Sequence, residues 1–315
     1  MREAGIFAMM PGTLKTVLLF LDGRRRNDAK ALENELAENE ILCEWHEAGS
    51  SEKISQLKCA VADYGDACTL LVTDDRALAK FAASFGLVCV GCEETEGSLT
   101  GFSFFEGAVL VAERLADLDV QLLRETFLHA KGFPVTVVRT ERLVLREMIP
   151  DDFAALRAIS RQAGSGYLMM NGQRADEFFS DENLRGYIAY VYRWYGYGLW
   201  SVLLHDGTLI GCCGLQDSES VYEAGAQQSE ARQNAAKGDC LDLQYMVNEA
   251  YRCRGFGAEM CRGALGYAFA RTQARHIRIL CHPDNAASRA LAKKLGFRQT
   301  GEEAGLCCYL RDTVL

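Results

Sequence analysis

Residues 16–111 alternate short runs rich in Val, Leu, Ile and Thr with stretches whose apolar residues recur every three or four positions. The short runs at 16–21, 41–45, 69–73, 87–90 and 108–111 predict strands, and the stretches at 28–39, 51–64 and 76–85 predict helices between them. Strands and helices in strict alternation imply a parallel sheet covered by helices. A further helix over 120–130 closes this part, and Lys131, Gly132, Phe133 and Pro134 read as a linker. The pattern predicts a Rossmann-like parallel α/β domain over residues 1–134, followed by a second domain over 135–315.

The second domain carries other periodicities. Residues 181–195 place Leu184, Tyr187, Ile188, Val191 and Trp194 on one helical stripe. Runs at 199–204 and 208–215 predict a hairpin across His205, Asp206 and Gly207, where Asp-Gly suits a turn with positive φ. Residues 216–238 are polar and lack periodicity, and their length predicts an excursion rather than a tight connection. Leu241, Leu243, Tyr245 and Val247 then alternate with Asp242, Gln244 and Met246, as in a half-buried strand. Arg252, Arg254, Gly255, Phe256 and Gly257 follow, and then a helix from Ala258 with Met260, Ala264, Leu265, Ala268 and Phe269 on one face.

That strand, basic glycine turn and helix form the clearest chemical signal in the chain. Glycines let a backbone approach a ligand closely, and the free N–H groups of a helix start favour an anion. With two arginines beside them, a pyrophosphate is the natural occupant. No lysine or hydroxyl follows Gly257 as a Walker loop requires, and Met260 stands where a dinucleotide fingerprint needs its third glycine.

Composition narrows the function class. A chain of 315 residues suggests two domains, each able to bury a core. A net charge of −9 argues against general affinity for nucleic acid or anionic membrane and suits a basic or neutral partner. The longest early apolar run, 17–21, is too short to span a bilayer, and no signal-peptide pattern is present, so the expected location is cytoplasmic. The thirteen cysteines are scattered and odd in number, which predicts reduced thiols packed as small apolar groups. Cys89 and Cys92 form a CxxC, but no further ligands lie at zinc-site spacing, and no metal is expected.

The segment from Arg252 to Gly257, Arg-x-x-Gly-x-Gly, resembles the acyl-CoA pyrophosphate loop of the GCN5-related N-acetyltransferases, the GNAT family. The sequel strengthens the resemblance: a strand over 276–281, then HPDNAASRALAKKLGF, in which Asn285 and Ser288 open a helix ending in Leu-Gly-Phe. Residues 141–148, ERLVLREM, are similar to the first strand of the ribosomal-protein N-terminal acetyltransferase subgroup, with 150–159 as its first helix. The resemblance implies a mixed-sheet α+β domain that moves an acetyl group from acetyl-CoA to a primary amine by direct attack.

Site residues follow from the same resemblance. Tyr245, Met246 and Val247 would lie along the thioester, while Arg252, Arg254, Gly255, Phe256, Gly257, Ala258, Asn285 and Ser288 would hold CoA. Asp242 corresponds to the acid that deprotonates the amine, through water given its short side chain, with Glu147 as an alternative acid. Many members place a tyrosine seven residues after the asparagine as general acid; here that position is Ala292, leaving Ser288 to face the sulfur. Tyr192, Tyr195 and Tyr197 are the aromatics expected to touch the acceptor, and the 216–238 excursion reads as a lid over it or as disorder. The acceptor is expected to be a protein N-terminus or a small-molecule amine, and a homodimer is compatible with the sequence.

In the first domain the polar clusters at strand ends are Asp22-Gly23 and Thr73-Asp74-Asp75. LLFLDG together with LLVTDDRALAKFAASFGLVCVGC resembles a degenerate haloacid-dehalogenase domain. The position of that family's nucleophilic aspartate is Phe20, which cannot accept a phosphoryl group, so phosphatase chemistry is not expected. Asp74 and Asp75 read as a helix cap and first-turn acid. A second function class therefore stays open: an acetyl-CoA-binding regulatory or scaffold protein that never consumes its ligand.

Overall fold

All six residues of β1 (Thr16–Leu21) are buried, as are all of β3 (Thr69–Thr73) and β4 (Val88–Cys92). Unbroken burial of this kind requires cover on both faces of a sheet. The computed structural model, which describes residues 12–47, 52–93, 105–162, 169–170, 173–174, 178–218, 239–303 and 305–313, supplies it. With β2 (Leu42–Glu47) and β5 (Leu110–Ala112), these strands form a parallel sheet in the order β2-β1-β3-β4-β5. Val17, Leu19 and Leu21 pack with α1 (Ala29–Glu38) and α4 (Val120–Ala130). Leu18 and Phe20 point to the other face, against α2 (Lys53–Tyr64) and α3 (Arg76–Ala83). Phe20 is fully buried and stacks on His46 at a ring separation of 4.3 Å. Cys89 and Cys92 belong to opposite face clusters, so their thiols do not converge, and burial pushes the Cys89 thiol up to about 12.

The chain divides into two compact units, Met1–Val135 and Thr136–Leu315. The second is built on an eight-stranded sheet in the order β14-β15-β13-β12-β11-β10-β7-β6. Its strands are β6 (Thr136–Arg139), β7 (Leu143–Arg146), β10 (Leu199–Leu204), β11 (Leu209–Asp217), β12 (Cys240–Val247), β13 (His276–Cys281), β14 (Arg298–Glu303) and β15 (Leu306–Asp312). Its β12–β13 pair is parallel and its other neighbouring pairs are antiparallel. Two short strands, β8 (Met169–Met170) and β9 (Gln173–Arg174), pair separately. Helices α5 (Phe153–Gln162), α6 (Asp181–Tyr195), α7 (Phe256–Arg271) and α8 (Ala286–Lys294) complete the unit.

Local sequence explains the ends that matter. Ser180 caps α6 by accepting from Asn183 N, and Gly196 closes it in the left-handed conformation at φ +71°. Gly207 has φ +87° in the β10–β11 turn, where Asp206 accepts from Thr208 N at 2.9 Å. At Gly211 a Cβ would lie 2.0 Å from the Met246 carbonyl oxygen, so glycine is what lets β12 pack directly on β11 there. Strands β6, β14 and β15 were not expected from the sequence. The predicted excursion begins later than expected, because Gln216 and Asp217 belong to β11; residues 219–238 lie outside the described residues. Among the described residues no helix is long and apolar enough to cross a membrane.

Candidate active site

The site starts from an interruption in strand pairing. Strand β12 pairs with β13 only where Cys240–Asp242 meets His276–Arg278; from Leu243 onward the two strands part. The parted length of β12 is a strand edge held inside a sheet, and its backbone polar groups need a partner other than β13. At its far end the chain turns through Asn248–Gly255 into α7. Gly255 is the N-cap at φ +85°, a conformation that favours glycine. The first N–H groups of α7, at Phe256 and Gly257, have no acceptor within the helix and stand at the end of the opening, whereas Ala258 N, expected to help hold the cofactor, already donates to Gly255 O at 3.1 Å. Arg252 and Arg254 are exposed beside them, Arg252 Nε donating to Val247 O at 3.1 Å. Arg142 stacks on Phe256 at 4.4 Å, donates to Arg254 O at 3.2 Å and pairs with Glu259. Glu259 also accepts from Thr140 Oγ1 at 2.6 Å and Arg142 N at 2.9 Å, which anchors the first turn of α7 to the strand-side loop.

The opposite wall is the start of α8. Asn285 is its N-cap, its side chain accepting from Ser288 N at 3.0 Å. Ser288 is nine-tenths buried, and its Oγ lies 2.6 Å from the Tyr245 hydroxyl, a bond that crosses the opening from α8 to β12. Burial pushes the Cys281 thiol, at the end of β13, above its ordinary value, and Ser288 partly offsets that push. Burial likewise pushes the Tyr245 phenol well above its ordinary value, so it stays neutral. Ala292, in the place of the family's usual tyrosine, is fully buried.

The predicted acids sit otherwise than expected. Asp242 is 3% exposed, and both its oxygens are held by Arg278, at 2.5 Å from Nε and 2.7 Å from Nη2. Arg278 in turn donates to Glu303 at 2.9 Å and to Ser218 O at 3.3 Å. Because Asp242 and Arg278 are register partners at the last paired rung, this ion pair clamps the point where the strands separate. A proton taken up by Asp242 would have to come at the expense of this buried pair, which weighs against its acting as the expected base. Glu147 is also buried, and it follows β7, with β10 and β11 between that strand and β12. Three strand spacings, roughly 14 Å, separate it from the opening.

Among the three tyrosines expected near the acceptor, Tyr192 lies in the core. It is 4% exposed, and its hydroxyl accepts from Met148 N at 3.0 Å and donates to Leu199 O at 2.6 Å. It is a strut between α6 and the sheet. Tyr195 and Tyr197 instead line a cavity of about 310 Å³ with Tyr187, Val191, Leu215, Gln216 and Asp217. Burial, and then the charge of Asp217, push the Tyr197 phenol up to about 12. Asp217 was missed from the sequence, although an acid ending an apolar strand is a readable signal. In register, Leu215, Gln216 and Asp217 stand opposite Leu243, Asp242 and Leu241, so the cavity borders β12 where the opening begins. Among the described residues no group of His, Cys, Asp and Glu could hold a metal ion.

Residues 142–298 match the family model described as Acetyltransferase (GNAT) domain. Similar solved structures include an acetyltransferase from Agrobacterium tumefaciens, 21% identical, covering 55% of this chain and 92% of its own, with a TM-score of 0.40. The ribosomal L7/L12 α-N-protein acetyltransferase RimL in complex with Coenzyme A is 17% identical, over 56% of this chain and 98% of its own, at a TM-score of 0.43. RimJ of Mycobacterium smegmatis with CoA-disulfide is 17% identical, over 54% and 81%, at 0.41. Residues 142–298 of this chain are an acetyltransferase domain of the GNAT family.

Proposed function

We propose that the second unit transfers an acetyl group from acetyl-CoA to a primary amine, and that the acceptor is an α-amine or another amine of low pKa. The observation that carries the reading is the parting of β12 from β13 immediately before a glycine turn and helix start. The N–H groups of Phe256 and Gly257, with Arg252 and Arg254, suit a pyrophosphate. The edge of Tyr245, Met246 and Val247 suits an extended amide chain, with backbone N–H groups available to a thioester carbonyl. Asn285 and Ser288 form the facing wall, Ser288 toward the sulfur.

The cavity beside the opening suits the acceptor. Tyr195 and Tyr197 offer aromatic surface and Asp217 a carboxylate that draws an ammonium group toward β12. An α-amine has a reference pKa near 7.7–8.0 against about 10.4 for lysine, so it deprotonates to water without a strong base. With Asp242 engaged by Arg278, that economy matters. The first unit's resemblance to a haloacid dehalogenase stays a proposal about fold; Phe20 packed in the core supports no phosphoryl transfer there.

Calorimetric titration of acetyl-CoA into the wild type and Gly257→Glu tests the reading. Gly257 is the better probe than Gly255, since a Cβ there meets nothing closer than Leu291 at 3.5 Å and its φ is not left-handed. Binding by the wild type and at least about 100-fold weaker binding by the variant, at an unchanged unfolding midpoint, is expected. No binding by the wild type refutes the proposal. Binding without turnover across a panel of peptides and small amines would instead make the chain an acetyl-CoA sensor.

A further inference from the structure

Ser288 Oγ lies 2.6 Å from the Tyr245 phenol on β12, and the same serine partly offsets the upward push of burial on the Cys281 thiol at the end of β13. A serine hydroxyl has one proton and two lone pairs, so an unconstrained one can turn either way. Tyr245 removes that freedom. At 2.6 Å either hydroxyl can donate, but a phenol is intrinsically a stronger donor than an alcohol; with the phenol donating, the serine proton is directed away from Tyr245.

We propose that Tyr245 is a positioning residue for the leaving thiol: by donating to Ser288 across the opening, it fixes the serine O–H as a donor to the sulfur of CoA. The inference rests on the acetyl-CoA reading above and deepens it. In the reaction the amine nitrogen bonds to the acetyl carbon, the carbon–sulfur bond breaks with its electron pair going to sulfur, and the proton lost by nitrogen arrives, in the balance, on sulfur. Ser288 stabilises that sulfur by a hydrogen bond while its charge develops, and its own proton need not leave. A helix tyrosine could do this from the α8 side, but Ala292 is there. Here the phenol comes from the opposite wall, and its reach sets the direction of the serine.

The test uses binding, so it needs no acceptor. CoA and desulfo-CoA are titrated into the full chain as wild type, Tyr245→Phe, Ser288→Ala and the double variant. The wild type should prefer CoA by about tenfold, the size of one good hydrogen bond. Each single variant should lose most of that preference while its affinity for desulfo-CoA stays within about twofold of wild type, and the double variant should lose no more than Ser288→Ala does, because Tyr245 acts through Ser288. Ser288→Thr should keep the preference and remain sensitive to Tyr245→Phe. Equal weakening for both ligands in Tyr245→Phe would show a merely structural tyrosine and overturn the inference, as would losses that multiply or a wild type that does not distinguish the ligands. A wild type that binds neither ligand defeats the acetyl-CoA reading first and this inference with it.

Discussion

The first unit gathers polar side chains at the carboxyl ends of its strands and the second gathers them along β12 and β13, and they use them in opposite ways. In the first unit the strand order reverses between β1 and β3, where doubly wound folds hold ligands, and there the charges satisfy one another. Asp74 accepts from Asp22 N at 2.9 Å and faces Arg25 Nε at 3.5 Å. Arg25 continues to Cys92, donating to its carbonyl at 3.3 Å. Asp75 caps α3 through Leu78 N at 2.9 Å and pairs with Lys53. In the second unit the charges, Asp242 and Arg278, stop at the last paired rung, and the opening beyond it is lined by neutral groups, the hydroxyls of Tyr245 and Ser288 and the thiol of Cys281. Paired charges build the frame, uncharged hydroxyls line the middle of the opening, and Arg252 and Arg254 stand exposed at its glycine-turn end.

The sharpest way to break that comparison is to remove the clamp. Asp242→Ala leaves the Arg278 guanidinium buried without its main partner, and a loss of about 3–5 kcal/mol of unfolding free energy is expected in denaturant titration. Asp242→Asn should lose less, because it can still accept from Arg278. A variant with full stability and abolished turnover would return Asp242 to the role of base. Next in size is Tyr192→Phe. Its hydroxyl joins Met148 N to Leu199 O inside the core, so its loss should cost about 1–3 kcal/mol. Tyr195→Phe, in the cavity wall, should leave stability unchanged.

These two tyrosines show where sequence reading ran out. The stripe on α6 is plain from spacing, but which hydroxyl ends in the core depends on Met148 and Leu199, brought to it by the sheet. Asp242 looked like a lone acid on a strand because its partner Arg278 lies 36 residues away, and only the β12–β13 rung brings them together. Strand β14 escaped notice because Arg298–Glu303 is almost wholly exposed and polar, so no period of two appears. The alternating apolar residues of β12 and the glycine spacing after it were legible for the converse reason: burial and backbone conformation act on those residues locally. For the same reason the buried cores of β1, β3 and β4 stood out as short apolar runs.

In the first unit the pairing at Asp75 can be tested by titration. Burial pushes its carboxyl up, but the Lys53 bond and the α3 N–H outweigh that, leaving it below the ordinary value of 3.8. A carboxylate lowered on folding adds stability that is present above about pH 3.8 and lost as pH falls through its folded value. Asp75→Asn keeps the cap and removes the charge. Its unfolding midpoint should therefore fall below the wild type's near pH 6 and converge with it toward pH 2. Asp74 shifts the other way, since burial outweighs its partners, but it is common to both proteins and cancels in the difference. Parallel curves at all pH values would mean that the Lys53 pair contributes nothing.

The smallest effect on stability should come from the rim of the acceptor cavity. Trp194 is 82% exposed on α6, beside Val191 and Tyr195, which line the cavity, and Tyr190 lies one turn earlier, also exposed. Trp194→Ala should change unfolding free energy by no more than about 0.5 kcal/mol. Its effect on turnover depends on the length of the acceptor. A small amine fits within about 310 Å³ and need not touch the rim, whereas a peptide whose α-amine enters the cavity must leave across it. A KM raised about three- to tenfold for peptides and unchanged for small amines would identify a polypeptide acceptor, because only a chain that continues past Tyr195 loses contact area when the indole is removed. Equal KM values for both classes would confine recognition to the cavity itself and leave Asp217, Tyr195 and Tyr197 as the whole of the acceptor site.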